Sequence, residues 1–378
     1  MEITVGVGAA TEHLGVDRVV DLGPLHPGAH GALRLRLGVS GHGDDAVVLS
    51  AVPLVGHLHR GAEKLFEVRD YRQVMVLANR HDWWAAMANE VLVARAVEQL
   101  TGITVPERAV ALRVLFCELG AAMAHLAFLT PLTDPPSTAS RSAVTAREAL
   151  QHVLEVATGG RIHLVANRVG GLREDVPAGW TAQVSSVLGV VEAAAAAVRA
   201  ATVDDEAFAE RHRGVGVLPR DAALALGVTG PAGRASGVDV DLRRDDPAPG
   251  YAGLQVTPHV GGAGDALARV HAQVQEVELA VLLVRQSLAQ VPPGPVNVRL
   301  PSSLVPGEGS VHVWGEAPLG VAGVHLVSRG EPTPWRLRLR TPSFSNVQAL
   351  AVLLPGTTVA QLGVVLRSFA LVVGDIDR

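Results

Sequence analysis

Two histidines, His26 and His30, stand four residues apart in DLGPLHPGAHG, which runs from Asp21 to Gly31. The prolines and glycines around them forbid a helix. Two more imidazoles, His57 and His59, lie in VGHLHRGAEK. Imidazole changes charge near neutrality, donates protons and ligates metals. The four histidines therefore admit three readings: a metal set, a glycine-rich loop that a ligand or backbone approaches closely, or plain turn chemistry. No carboxylate or thiol stands beside them at a familiar zinc spacing, which weighs against the metal.

Other polar groups sit on helical segments. NRHDWWAAMANE, residues 79–90, brings Arg80 and Asp82 to a helix start, where the arginine can face a ligand or pair with the aspartate. Glu118 and His125 are seven apart, hence on one face of a helix, and are expected as polar groups satisfied inside a bundle. VGVGAA near the start lacks the spacing and the following helix of a dinucleotide fingerprint.

The elements that would position these groups follow from periodicity. ALRLRLGV and AVVLSAVPLV flank the turn SGHGDD and predict a β-hairpin. Helices are expected over 82–100 with Asp82 as N-cap, from Pro106 to near Pro131, over 142–158 ending on Gly159-Gly160, over 180–203, and over 265–290. Together they predict a central bundle. Residues 214–258 read as an irregular functional or interface loop. Strands return in SVHVWGE, AGVHLVSRG and PWRLRLRT, and two short helices follow. Strands at both ends predict an α+β fold whose ends close one sheet region.

Composition narrows the function. With 378 residues and 48% apolar content, the chain has ample material for a core. Its net charge is −5 with scattered cations, so a nucleic-acid partner is not expected. Cys117 is the lone cysteine. One thiol closes no intrachain disulfide and holds no four-thiolate iron–sulfur cluster, and a reducing cytoplasmic setting fits. MEITVGVGAATEH has no signal-peptide core. The longest uncharged apolar stretch, Val347 to Leu366, is broken at Pro355-Gly356, so no membrane-spanning helix is expected.

Six segments, taken in order over essentially the whole chain, resemble one family: GPLHPGAHGALRL, VGHLHRGAEKLFE, VPERAVALRVLFCELGAAMAHL, the loop RGVGVLPRDAALALGVTGPAGRASGVDVDLRRDDP, TPSFSNVQAL and GDIDR. The family is the D-type subunit of the bacterial proton-pumping NADH:quinone oxidoreductase, respiratory complex I, with the 49-kilodalton subunit as mitochondrial counterpart. The resemblance implies one α+β domain over 1–378. Its parts would be an N-terminal β-hairpin region (1–60), a helical core (80–292) with the irregular loop 214–258, and a C-terminal α+β closure (297–378). It also implies a likeness to nickel–iron hydrogenase large subunits. RHDWW and GDIDR stand where those enzymes carry cysteine pairs, so no metal is expected here.

The resemblance further implies a quinone pocket between this chain and a small partner subunit carrying the terminal 4Fe–4S cluster. Electrons from NADH would pass through FMN and iron–sulfur centres in partner subunits, with no cofactor bound by this chain alone. The complex would place the chain peripherally at the cell membrane, on the cytoplasmic side. His30 matches the family's loop histidine, which bonds a quinone carbonyl and acts catalytically, while His26 is expected to be structural. Asp134 is the nearest candidate for the acid that partners this histidine and raises its pKa. Asp82 and Trp83 would contact quinone. Arg80 and His163 match residues close to the partner's cluster.

Three departures accompany the match. Trp83 replaces a tyrosine whose hydroxyl bonds the other quinone carbonyl; an indole N–H donates but is no practical acid. The segment FLTPLTDPPSTASRSAV is shortened, which offsets Asp134 by about one position. Ala121 replaces an arginine. They define the alternative expectation, a diverged paralogue that is a structural or interaction subunit or serves another electron carrier.

Overall fold

The computed structural model describes residues 2–4, 16–21, 26–28, 33–134 and 136–378. Five long helices form its centre: α1 (Ala86–Thr101), α2 (Glu107–Leu129), α3 (Thr138–Thr158), α4 (Trp180–Ala201) and α5 (Ala266–Leu288). Alanine and leucine dominate α2, and its apolar residues surround the whole helix, so it is the buried axis against which α1, α3 and α5 pack. The helix ends are marked locally. Ser137 accepts the Ser140 N–H at 3.1 Å and Asp265 the Ala268 N–H at 2.8 Å. Gly102 and Gly159 end α1 and α3 at φ 70° and 73°, where a side chain would be strained. Ser137 starts α3 four residues before the sequence expectation.

The strands form separate sheets. β1 (Glu2–Thr4), β2 (Val16–Asp21), β3 (Arg34–Ser40) and β4 (Val47–Leu54) pair antiparallel in that order. β5 (Asn167–Arg168) and β6 (Gly171–Leu172) make a two-stranded ribbon. β7 (Glu308–Ala317), β8 (Gly320–Arg329) and β9 (Arg336–Arg340) form an antiparallel meander. The predicted hairpin is therefore present as β3–β4, but the two ends of the chain do not close one sheet. Each sheet has its own apolar cover. Leu35, Leu37 and Val39 of β3 pack with Leu350, Leu366 and Phe369. Val324, Leu326 and Leu337 of the meander pack with Leu92, Val93 and Val97 of α1.

Three further expectations change. Residues 214–258 contain the short helices Arg220–Ala225, Gly230–Ala235 and Leu242–Asp245, and Arg234 and Arg243 on them are buried. Two helices are long and apolar enough to cross a membrane by length and composition, Glu107–Leu132 and Trp180–Ala201. Isolated charges, Glu118 and Glu192 among them, break these helices into shorter uncharged runs, so neither stands out as an unbroken apolar stretch. Glu107–Leu132 is buried within the bundle. The end of the chain also carries more than two short helices, among them Leu362–Ser368 and Val373–Asp377.

Trp180 shows what the bundle depends on. It is wholly buried, meets Phe116 edge-on at 5.5 Å and donates its indole N–H to the Val153 carbonyl at 2.7 Å. Trp180→Ala should lower stability by about 3–5 kcal/mol, read as a lower denaturation midpoint, and Trp180→Phe by clearly less. Equal losses in the two variants would contradict this packing role.

Candidate functional site

The stretch from Asn79 to Trp84 enters α1 as a tight turn. Asp82 is buried, and its Oδ1 accepts the N–H groups of Trp84 at 2.9 Å and Ala85 at 3.2 Å. Asp82 is not the N-cap that the sequence suggests: the regular helix begins at Ala86 with Ala85 at its N-cap and no side-chain cap, and Asp82 fixes the turn just before it. Arg80 does not pair with Asp82. Its Nη1 donates to Asn79 Oδ1 at 2.6 Å, and its carbonyl accepts from Arg60 at 2.6 Å. Trp83 is half-buried.

Glu90, one turn into α1 and wholly buried, ties a second segment to this turn. Its Oε2 accepts the backbone N–H groups of Ala166 (3.2 Å) and Asn167 (3.0 Å) and the Asn167 side chain (3.1 Å). Its Oε1 accepts from Asn79 Nδ2 at 2.8 Å, and Asn79 also donates to the Leu164 carbonyl at 2.9 Å. Burial raises the Glu90 carboxyl to about 7 against these donors. The clamp brings His163 and Arg80 within electrostatic reach. His163 is exposed, and slight burial and then the Arg80 cation lower its pKa.

The GDIDR segment forms the floor. Gly374 lies against the His81 carbonyl, where a Cβ would overlap the oxygen. Asp375 accepts the Ser343 N–H at 3.0 Å and stands 3.7 Å from His81 Nε2. Both residues are buried, as is Asp82 facing them. Burial raises Asp375 to about 6, raises Asp82 well above its ordinary value with help from Asp375, and lowers His81 to about 4. Asp377 accepts the Gly56 and Leu58 N–H groups, each at 2.7 Å, and its carbonyl accepts from His59 Nδ1 at 2.7 Å.

Three of the four loop histidines, His26, His57 and His59, fall among the described residues. His26 is buried; its Nδ1 accepts the Gly28 N–H at 3.2 Å, so its Nε2 donates to the Phe369 carbonyl at 3.1 Å. That is the structural role expected of it. His59 is bonded to Asp377, and His57 is exposed. Among the described residues, no group of three or more histidine, cysteine, aspartate and glutamate side chains is placed to hold a metal ion. His30 lies outside the described residues. Asp134 is exposed beyond the end of α2, with its carbonyl accepting the Ser137 N–H at 2.8 Å.

Sequence reasoning missed Glu90, Asn79, His81 and Asp377 as organisers of this region. GDIDR is legible as a motif, but the partners of Asp377 lie some 320 residues earlier, beyond any local signal.

Asp375 gives a pH test. Its folded pKa of about 6 lies above the ordinary 3.8, so its contribution to stability is complete below about 4 and is lost as pH rises through about 6. Asp375→Asn removes that loss. Relative to the parent, the variant should gain about 1–3 kcal/mol between about pH 4 and about pH 8 in urea midpoints. A pH-independent difference would refute it.

Known proteins resemble this chain in sequence and in fold. The family described as "Respiratory-chain NADH dehydrogenase, 49 Kd subunit" matches residues 136–311 and 300–378. A D-type subunit of NADH-quinone oxidoreductase from Salinispora arenicola is 51% identical, covering 100% of this chain and 98% of the relative. A D-type subunit of the same oxidoreductase from Streptomyces coelicolor is 48% identical, covering 100% and 99%. A chain from the solved structure of the membrane-bound sulfane sulfur reductase, an archaeal respiratory membrane complex, superposes with a TM-score of 0.90 at 30% identity, covering 98% of this chain and all of that one.

Proposed function

The chain belongs to the respiratory-chain NADH dehydrogenase 49 kDa subunit family, and from that premise we propose that it forms one wall of the quinone-reduction pocket of a proton-translocating NADH–quinone oxidoreductase. The observation that carries this reading is the end-to-end similarity to relatives named as D-type subunits of NADH-quinone oxidoreductase. Its partners are the other subunits of a respiratory complex, chiefly the small subunit with the terminal 4Fe–4S cluster. FMN and the iron–sulfur centres belong to those partners, and this chain binds no cofactor by itself. The assembly holds it peripherally at the cell membrane on the cytoplasmic side. The α+β architecture is that of nickel–iron hydrogenase large subunits, reused without their cysteines.

Within the pocket His30 donates a proton to one quinone carbonyl, with Asp134 as its acidic partner. Trp83 offers an indole N–H at the other end. Asp82 acts through the turn that it fixes, since its Oδ1 is committed to the Trp84 and Ala85 amides. Arg80 and His163 share one surface, and it faces the partner's cluster. A cation and a titratable imidazole beside a cluster tune its potential and link its reduction to proton uptake.

A second reading has its own support. Trp83 supplies no acidic hydroxyl, and a complex named for a different activity, sulfane sulfur reduction, contains a chain of nearly the same shape. On this reading the chain is a diverged paralogue, a structural subunit or one serving another electron carrier.

In the membrane-assembled complex, His30→Ala should cut NADH-driven reduction of a soluble quinone analogue by about a hundredfold. Reduction of an artificial acceptor that takes electrons upstream should be unchanged. Undiminished quinone reduction removes the role given to His30. If the parent complex reduces quinone only after Trp83→Tyr, the second reading holds.

A further inference from the structure

Away from the Asp82 turn, a wholly buried ionic cluster occupies the helical core, and the quinone reading does not use it. Arg234, from Gly230–Ala235, meets Glu276 of α5 at 2.5 Å, Glu316 of β7 at 2.9 Å and Asp241 at 3.4 Å. Arg243, from Leu242–Asp245, meets Asp241 at 2.7 Å, Glu276 at 2.8 Å and Glu118 of α2 at 3.3 Å. Glu118 also accepts the Tyr251 hydroxyl at 2.6 Å. Every side chain in these ion pairs is 5% exposed or less.

Four carboxylates thus surround two guanidinium groups. Arg340 of β9 adds its field to Glu316 from beyond ion-pair distance, and one acid is still in excess. His125 of α2 is also wholly buried here, and neither ring nitrogen has a hydrogen-bond partner among the described residues. Burial keeps it neutral, lowered to about 4, and burial likewise lowers His259. The Cys117 thiol on α2 is raised by burial and stays protonated. None of these groups adds positive charge at neutral pH. A buried excess negative charge is costly, so the cluster holds at least one proton.

The contacts say where it sits. Asp241 and Glu276 each meet both guanidinium groups, whereas Glu118 meets only Arg243 and Glu316 only Arg234. Glu118 and Glu316 are therefore the protonatable members. Their pKa directions agree: burial raises both, Glu316 to about 7. For Glu276, burial is outweighed by Arg234 and Arg243, and it falls to about 2.

The cluster has a door. A cavity of about 390 Å³ lies between α1 and α2, lined by Val91, Arg95, Arg113, Cys117 and Tyr251 among others. Tyr251 belongs to both the cavity wall and the cluster. We propose that the Arg234–Arg243 cluster is a proton store within the helical core, loaded from this cavity through the Tyr251 hydroxyl. In the loading step the Tyr251 O–H bond breaks as a Glu118 O–H bond forms, and a proton from cavity water restores the phenol. The net change is one proton from solvent to carboxylate, and release is the reverse.

The test uses the assembled complex, with infrared difference spectra of the protonated-carboxyl stretch from about pH 5 to about pH 9. The parent should show a carboxyl band that disappears as pH rises through about 7. Glu90 and Asp375 also titrate in this range, so the readout is the parent-minus-variant difference. Glu316→Gln should remove one carboxyl's share of the change at about pH 7, and Glu118→Gln should also lower the band. Tyr251→Phe, which keeps the ring in place, should leave the band but slow its exchange in heavy water by about tenfold. An unaltered titrating band in both glutamine variants overturns the proposal, as does exchange at the parent rate in Tyr251→Phe. If the glutamine variants fail to assemble, the parent still decides against it when no carboxyl titrates in that range. No quinone or NADH is added, so this outcome is independent of the quinone reading.

Discussion

Buried carboxylates that accept amide protons from distant segments hold the irregular parts of this molecule in place. Glu90 takes two backbone N–H groups and the Asn167 side chain on one oxygen and Asn79 on the other. Two turns further along α1, Glu98 takes the Gly170 N–H at 2.8 Å and a bidentate pair from Arg113 at 2.7 and 2.9 Å. Asp377 does the same for the 56–58 turn. A loop can be buried only if its donors are satisfied, and an unpaired buried donor costs roughly 1–3 kcal/mol. Each acid therefore allows a non-helical segment to lie against the bundle, and one face of α1 carries two of the three.

This arrangement explains why the site is built at the edge of the bundle. α1 is rigid over sixteen residues and presents Glu90 and Glu98 to the same side, so the ribbon β5–β6 and the 160s segment are referred to one helix. The Asp82 turn leads directly into that helix, and GDIDR closes over it from below. Arg80, Trp83 and His163 are thus held by three chain segments whose mutual positions depend on α1. The Arg113–Glu98 pair connects the same frame to α2, and α2 carries Glu118 into the ionic cluster.

What sequence alone could read depended on how local the cause was. Ser137, Asp265, Gly102 and Gly159 act within a turn of where they stand, and the helices they bound lie within a few residues of expectation. The β3–β4 hairpin was legible for the same reason. The division into separate sheets was not, because it is decided by which helices cover each apolar face. Glu118 was rightly expected to be satisfied, but its partners, Tyr251 and Arg243, lie more than a hundred residues on. His125, on the same helix face, was expected to be satisfied and is not, although its composition and spacing carry no sign of the difference. Of the candidate site, Arg80 and His163 share a surface, Asp82 is committed to its own turn, and His30 lies outside the described residues.

The ionic cluster is hard to explain as a stabilising device. Two charges taken from water regain in mutual attraction about what desolvation costs, and a well-packed apolar group of the same volume often does as well or better. Here the balance is worse than for a simple pair, since four acids share two arginines. The segments that supply them, Gly230–Ala235 and Leu242–Asp245, are short helices that could have been anchored by apolar side chains, as α2 and α5 are within their shared core. Orientation alone does not require the excess either, because Asp241 and Glu276, the two acids that meet both guanidinium groups, already fix both arginines. Glu118 and Glu316 add charge that those arginines do not need. What they add is a pair of carboxyls that burial pushes up, Glu316 to about 7, with Glu118 accepting the hydroxyl of Tyr251, a residue that also lines the cavity.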